Sequence, residues 1–211
     1  MPLPDPTIDL DWSGYTGAIH EIFHKNALAN PDSPCLTETA SSTTPERKFT
    51  YKQIYEASNI LAHQLRDAGI TNGDVVMIFA YRSVELLVAF MGTLAAGATI
   101  TVLDPAYPPA RQQIYLEVSQ PKALIMIGRA KDENGDLAPR VQSYIQESLA
   151  LKTRIPELRV TDAGQLTGGD VNGKDIFAEA SAKASAPPQV VVGPDSYSIL
   201  SFTSGTTSTP K

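Results

Sequence analysis

The stretch Ser201–Lys211, SFTSGTTSTPK, gathers side chains suited to holding a phosphate. Thr203, Ser204, Thr206, Thr207, Ser208 and Thr209 offer hydroxyl donors, and Gly205 lets the backbone turn its N–H groups toward one point. Concave runs of backbone donors bind phosphate oxygens, and Lys211 adds the point charge that a phosphate accepts. Tyr197–Phe202, just before it, reads as a strand, so the loop falls beyond that strand's carboxyl end, where open α/β sheets hold their ligands. The segment is not a Walker A loop, which needs glycine directly before the lysine; here Pro210 fills that place. The alternative is a Ser/Thr linker with no ligand.

A second pattern is His20-Glu21-Ile22-Phe23-His24, which fits H-E-x-x-H. Two histidines one helical turn apart can share a zinc ion, with the glutamate as base. The competing reading is an amphipathic helix whose core face is Ile19, Ile22 and Phe23. Only His63 remains as a further histidine, and little chain precedes the motif to build a substrate-binding sheet, so the plain helix is preferred.

The elements that must position these residues follow from periodicity and punctuation. The first helix should end near Asn30-Pro31, with a short strand at Cys35–Glu38 and a polar loop from Glu38 to Arg47. Thr50 and Gln53 form a T-x-x-Q capping box. The helix behind it carries Ile54, Ala57, Leu61, Leu65 and Ala68 at helical spacing, with Gly69 placed for a left-handed stop. Asp74–Ala80 is a short, continuous apolar run, the mark of a strand covered on both faces. Ser83 caps a helix that Gly97 ends. Leu86–Leu103 is uncharged over about the length of a membrane span, but Gly97 and the β-branched run Thr99–Val102 divide it into a buried helix and a buried strand.

Asp104–Pro109 is a proline-rich turn. A helix over Ala110–Ser119, a strand at Ala123–Ile127, a helix over Pro139–Leu151 and a strand at Leu158–Val160 follow. Residues 162–188 lack a period and read as a flexible loop, residues 1–14 as an extended tail, and Val190–Val192 and Tyr197–Phe202 as two more strands. Alternating helices and strands predict an α/β fold with a mainly parallel sheet flanked by helices.

The 211 residues carry a net charge of −6, which argues against a nucleic-acid binder. Cys35 is the only cysteine, so no intrachain disulfide forms and a reducing compartment is expected. The opening MPLPDPTIDLDW has neither a basic nor an apolar signal region and is not expected to act as a signal peptide.

The whole string LSFTSGTTSTPK resembles the phosphate-binding signature of the adenylate-forming enzymes, the superfamily of acyl-CoA synthetases and peptide-synthetase adenylation domains. That signature is a hydrophobic residue followed by T-S-G-T/S-T-G-x-P-K, and it is matched at Thr203, Ser204, Gly205, Thr206, Thr207, Pro210 and Lys211. Ser208 stands where the family carries glycine, and its Cβ narrows the conformations open to the loop. FTYKQIYEASNILAHQL, GTLAAGATITVLDPAYPPAR and IHEIFHKNALANPDSPCL are similar to further family segments. EASNILAHQL, DPAYPPARQQIYLEVSQPKAL and VVVGPDSYSILSFTSG look most like the fungal aminoadipate reductase branch.

The resemblance implies that residues 1–211 are the incomplete N-terminal portion of an acyl-CoA-synthetase-like adenylation domain, reaching as far as the phosphate loop. It implies ATP with Mg2+ as cofactors and Thr203–Lys211, Ser208 and Thr209 included, as the ATP-phosphate site. In the branch, the carboxylate of L-2-aminoadipate is adenylated, passed to a phosphopantetheine thiol and reduced by NADPH in lysine biosynthesis. The carrier and reductase domains are partners in cis, and the location is cytoplasmic. No catalytic or metal-binding residue is expected within 1–211, which by themselves should be inactive. Two alternatives stand beside this: an adenylation domain for another amino acid, or an inactive binding or regulatory protein.

Overall fold

Four parallel strands and one antiparallel strand form the main sheet of the computed structural model, which describes residues 14–40 and 45–202. The elements run α1 (Ile19–Ala29), β1 (Pro34–Glu38), β2 (Arg47–Thr50), α2 (Tyr51–Asp67), β3 (Val75–Phe79), α3 (Val84–Ala95), β4 (Thr99–Leu103) and α4 (Pro109–Ser119). They continue with β5 (Ala123–Ile127), α5 (Gly128–Asn134), α6 (Pro139–Ser148), β6 (Thr153–Val160), β7 (Leu166–Gly169) and a 3-10 turn at Ala180–Lys183. The sheet order is β4-β3-β5-β6-β7, and β1 and β2 form a separate antiparallel pair.

This order records a reversal. The chain steps from β3 through α3 to β4 on one side, then crosses through α4 to β5 on the other side of β3. With right-handed crossovers, the reversal places α3 and α4 on opposite faces and makes the β3/β5 boundary a topological switch point. Helices therefore cover both faces of the central strands, and β3 and β5 read as continuous apolar runs. All five residues of β5 are buried, as are Val76, Met77, Ile78 and Phe79 of β3.

The helices begin and end where local chemistry dictates. Thr50 Oγ1 accepts from Gln53 N at 3.3 Å while Gln53 Oε1 accepts from Thr50 N at 2.8 Å, closing the capping box of α2. Ser83 Oγ accepts from Leu86 N at 3.2 Å at the start of α3. Gly97 follows with φ +77, a conformation open to glycine. α2 and α3 pack closely because Gly92 has no side chain: a Cβ there would meet Ser58 O at 2.9 Å.

Several sequence expectations are corrected. α1 turns His20, Phe23, His24 and Ala27 inward, whereas Ile19 and Ile22 are exposed. The His24 ring packs edge-on against Tyr55 at 5.2 Å, and Tyr55, His20 and Phe23 surround it with aromatic surface. β2 and α5 arise where no element was expected. The 162–188 segment, expected as a flexible loop, contains β7 and the 3-10 turn, pinned by Leu166, Phe177 and Ala180 in the core. Conversely, Val190–Val192 forms no strand, and Tyr197–Phe202 reduces to one bridge, Ile199 to Ile100, running parallel to β4. No helix among the described residues is long and apolar enough to cross a membrane.

Candidate functional site

Two places at the carboxyl end of the sheet can be compared as ligand sites. One is the switch point, where such folds commonly bind. The other is the open edge of β4.

The switch-point side is filled by charge. Arg47, at the start of β2, reaches Glu38 of β1 at 2.7 Å and Glu85 of α3 at 3.1 Å, and donates through Nη1 to Val160 O at 2.9 Å. Arg129, which follows β5, pairs with the same Glu38 at 2.8 Å. Glu38 also accepts from Val84 N at the start of α3. Burial pushes the Glu38 carboxyl up, but the Val84 N–H, Arg47 and Arg129 outweigh it and hold the group below its ordinary value. Glu85 is 1% exposed and its Oε2 has no partner among the described residues. These charges, on β1, β2, α3 and α5, neutralise one another, and with the bond to Val160 O of β6 the arrangement locks the hairpin to the sheet.

The β4 edge is different. Ile100 N donates to Ser198 O at 2.9 Å and Leu200 N donates to Ile100 O at 2.8 Å, so the late segment runs alongside β4 in the same direction. It therefore travels toward the carboxyl end, where β4 gives way to the Asp104–Pro109 turn. Phe202 ends the described segment and stacks on Tyr115 of α4, with ring centroids 4.0 Å apart and planes at 14°. Tyr115 meets Tyr107 edge-on at 5.3 Å. The Arg111 guanidinium lies 4.1 Å over the Tyr107 ring and donates to Tyr115 Oη at 2.9 Å. A cleft of about 200 Å³ opens here between Phe90, Val102, Tyr107 and Ser201.

The predicted phosphate-binding residues Thr203–Lys211 lie outside the described residues. The structure brings their attachment point, Phe202, to the carboxyl edge of a parallel sheet. Sequence reasoning missed the cluster of Tyr107, Arg111, Tyr115 and Phe202. The four-residue spacing of Arg111 and Tyr115 was the available signal, since such spacing aligns side chains on a helix face; Tyr107 precedes α4 and carried none.

The H-E-x-x-H pattern is absorbed by structure. Glu21 Oε2 accepts from Ala18 N at 2.9 Å and caps α1, so it is not free as a base. Burial, followed by the neighbouring His20, lowers the His24 imidazole to about 4, with Glu21 opposing. Burial likewise lowers His20. These are neutral core rings at neutral pH.

Comparison with known proteins decides the family. The AMP-binding enzyme family matches residues 23–211. The chain belongs to the AMP-binding enzyme family. Among its AMP-binding relatives, the L-2-aminoadipate reductase large subunit of Penicillium chrysogenum is 54% identical over 209 residues, 99% of this chain and 15% of the relative. The L-2-aminoadipate reductase of Schizosaccharomyces pombe is 53% identical over 213 residues, again 99% of this chain and 15% of the relative. The chain thus spans 15% of the length of these curated relatives. A solved fatty acyl-adenylate ligase from L. pneumophila superposes with a TM-score of 0.62 at 21% identity, covering 91% of this chain and 29% of that one. That likeness establishes the adenylate-forming, acyl-CoA-synthetase-like fold.

Proposed function

We propose that this chain supplies the N-terminal part of an ATP-dependent carboxylate-adenylating unit of an L-2-aminoadipate reductase, and that residues 203–211 hold the nucleotide's phosphates. The observation that supports the reading is the parallel bridge at β4, which carries the described chain as far as Phe202, the residue before the hydroxyl-rich stretch, toward the carboxyl end of the sheet. The identity of 54% to an aminoadipate reductase directs the choice of substrate.

In the proposed reaction an oxygen of the substrate carboxylate attacks the α-phosphorus of ATP. The bond from that phosphorus to the bridging oxygen breaks, and pyrophosphate leaves with its electron pair. ATP supplies the adenylyl group that is transferred and the pyrophosphate that leaves. Charge grows on the departing pyrophosphate, and donors fixed around it stabilise that charge. Thr203, Ser204, Thr206, Thr207, Ser208 and Thr209 would donate hydroxyl or backbone hydrogens to the β- and γ-phosphates, Gly205 would permit the turn, Pro210 would stiffen its exit, and Lys211 would add charge. Mg2+ would accompany ATP, and none of the described residues is assigned to it. The acyl adenylate would pass to a phosphopantetheine thiol on a carrier domain, with NADPH reducing the thioester to the semialdehyde. The proposed setting is lysine biosynthesis in the cytoplasm.

The test is exchange of labelled pyrophosphate into ATP by the purified full-length gene product. Exchange that depends on L-2-aminoadipate supports the reading. Exchange driven by another amino acid but not by L-2-aminoadipate overturns the substrate, and no exchange with any carboxylate overturns the chemistry.

A further inference from the structure

The residue that joins the sheet to the proposed phosphate loop has one well-defined side-chain anchor. Beyond Leu200 N, whose bond to Ile100 O measures 2.8 Å, no further backbone bond ties the described segment to β4. What orients Phe202 is its stacking on Tyr115, with centroids 4.0 Å apart and planes at 14°. Tyr115 is itself 3% exposed and held from two directions. Arg111 donates to its hydroxyl through Nε at 3.2 Å and Nη2 at 2.9 Å, and Tyr107 packs against its ring edge. Arg111 in turn rests on the Tyr107 face, where the ring's electron density attracts its charge. The Tyr107 backbone is tied back to Asp104 O at 3.1 Å, at the end of β4. The stack therefore connects the start of α4, the β4 turn and the residue bonded to Thr203.

We propose that Tyr115, braced by Arg111, is a positioning residue for nucleotide binding: it fixes Phe202 and thereby sets where the 203–211 loop begins. This rests on the reading that the loop holds ATP phosphates. The physical ground is preorganisation. Donors stabilise developing charge best when they need not move to do so, and a displacement of about 1 Å at a reacting group can cost about 100-fold. Loss of one aromatic pair weakens an interaction by about 0.5–1.5 kcal/mol, or about two- to tenfold. Tyr115 touches no reacting atom in this scheme; it acts through Phe202.

The experiment compares Tyr115→Leu, Tyr115→Phe and Arg111→Ala in the full-length gene product, reading pyrophosphate exchange and amide hydrogen exchange. Tyr115→Leu is expected to raise KM for ATP about two- to tenfold, with KM for the carboxylate and kcat at saturating ATP within about twofold. Tyr115→Phe keeps the stacked ring and restores most of the ATP affinity; Arg111→Ala falls between the two. Amide exchange of the peptide starting at Ile199 should quicken in Tyr115→Leu without ATP present, which reads the link between Phe202 and Tyr115 independently of catalysis. An unchanged KM for ATP overturns the proposal. So does an equal rise in both KM values with a lowered Tm, the mark of general packing. A Lys211→Ala variant that leaves KM for ATP unchanged would instead sink the phosphate reading itself, while the amide exchange still decides whether Tyr115 fixes Phe202.

Discussion

The two flanks of β3 solve different problems. On the β5 flank, Arg47, Glu38, Glu85 and Arg129 close the switch point with paired charge. On the β4 flank the sheet continues through a single bridge, and aromatic stacking carries the chain outward. The first arrangement resists change because each charge depends on its partner. The second is held by contacts worth little individually. The proposed ligand site lies on the weakly held flank, in keeping with ligand-binding segments being drawn from the less stable parts of a fold.

The largest effect expected from this contrast is on stability. Arg47→Met removes the cation between two carboxylates and leaves Glu85, which is 1% exposed, with no compensating charge. Breaking a buried pair by removing one partner costs about 3–5 kcal/mol. Chemical denaturation of the full-length gene product, followed by protection of the β3 amides, should show that loss, with KM for ATP little changed in the folded fraction. A large rise in KM for ATP without destabilisation would reverse the roles of the two flanks.

Next in size is Lys211→Ala, expected to weaken use of ATP about 100-fold by removing one donor from the departing pyrophosphate. Its Tm should stay near that of the unsubstituted protein. Pyrophosphate exchange at varied ATP concentration measures the first effect and thermal unfolding the second.

A smaller effect concerns pH, and it belongs to α1. His24 takes its proton at about 4 in the folded protein, because burial comes first and His20 adds to it, while Glu21 opposes. The unfolded value is near 6.5, so the unfolded chain binds more protons between those limits. Stability is full above pH 6.5 and falls as the pH drops from about 6.5 to about 4. Glu38 and Asp74, both held below their ordinary values, give up stability only at lower pH. His24→Phe should flatten the slope in the window from about 6.5 to 4 in denaturant titrations at stepped pH. An unaltered slope would show that His24 is not its source.

Ser208→Gly is the mildest change. Restoring the residue type of the family signature widens the conformations open to the loop. KM for ATP should fall by about two- to threefold, given the size of glycine backbone effects; an increase would contradict the view that the Ser208 Cβ restricts the loop.

Much of the frame was legible because it obeys local rules. Thr50 and Gln53 cap α2 as their spacing indicates, Ser83 caps α3, the apolar runs of β3 and β5 are strands covered on both faces, and β4 is a strand with Val102 exposed. What failed depended on partners far away in sequence. β2 was hidden because Arg47 looks like loop polarity until Glu38 and Glu85 neutralise it. The inner face of α1 was misread because His20 and His24 are polar by type yet buried as neutral rings. Val190–Val192 has strand-forming residues but no ladder, and Val191 is 89% exposed. Phe177 anchors an aperiodic segment that offered no pattern to read. At the candidate site the hydroxyl-rich stretch 203–211 stands on composition alone, outside the described residues, whereas the Tyr115–Phe202 stack needed the fold to bring positions 87 residues apart together.

The most direct test of the central claim is amide hydrogen exchange of the full-length gene product with and without ATP. Slowed exchange in the peptide covering 203–211, with peptides at 80–85 and 128–131 unchanged, is the predicted result. Slowed exchange at 80–85 and 128–131, with 203–211 unaffected, would place the nucleotide at the switch point and contradict the account.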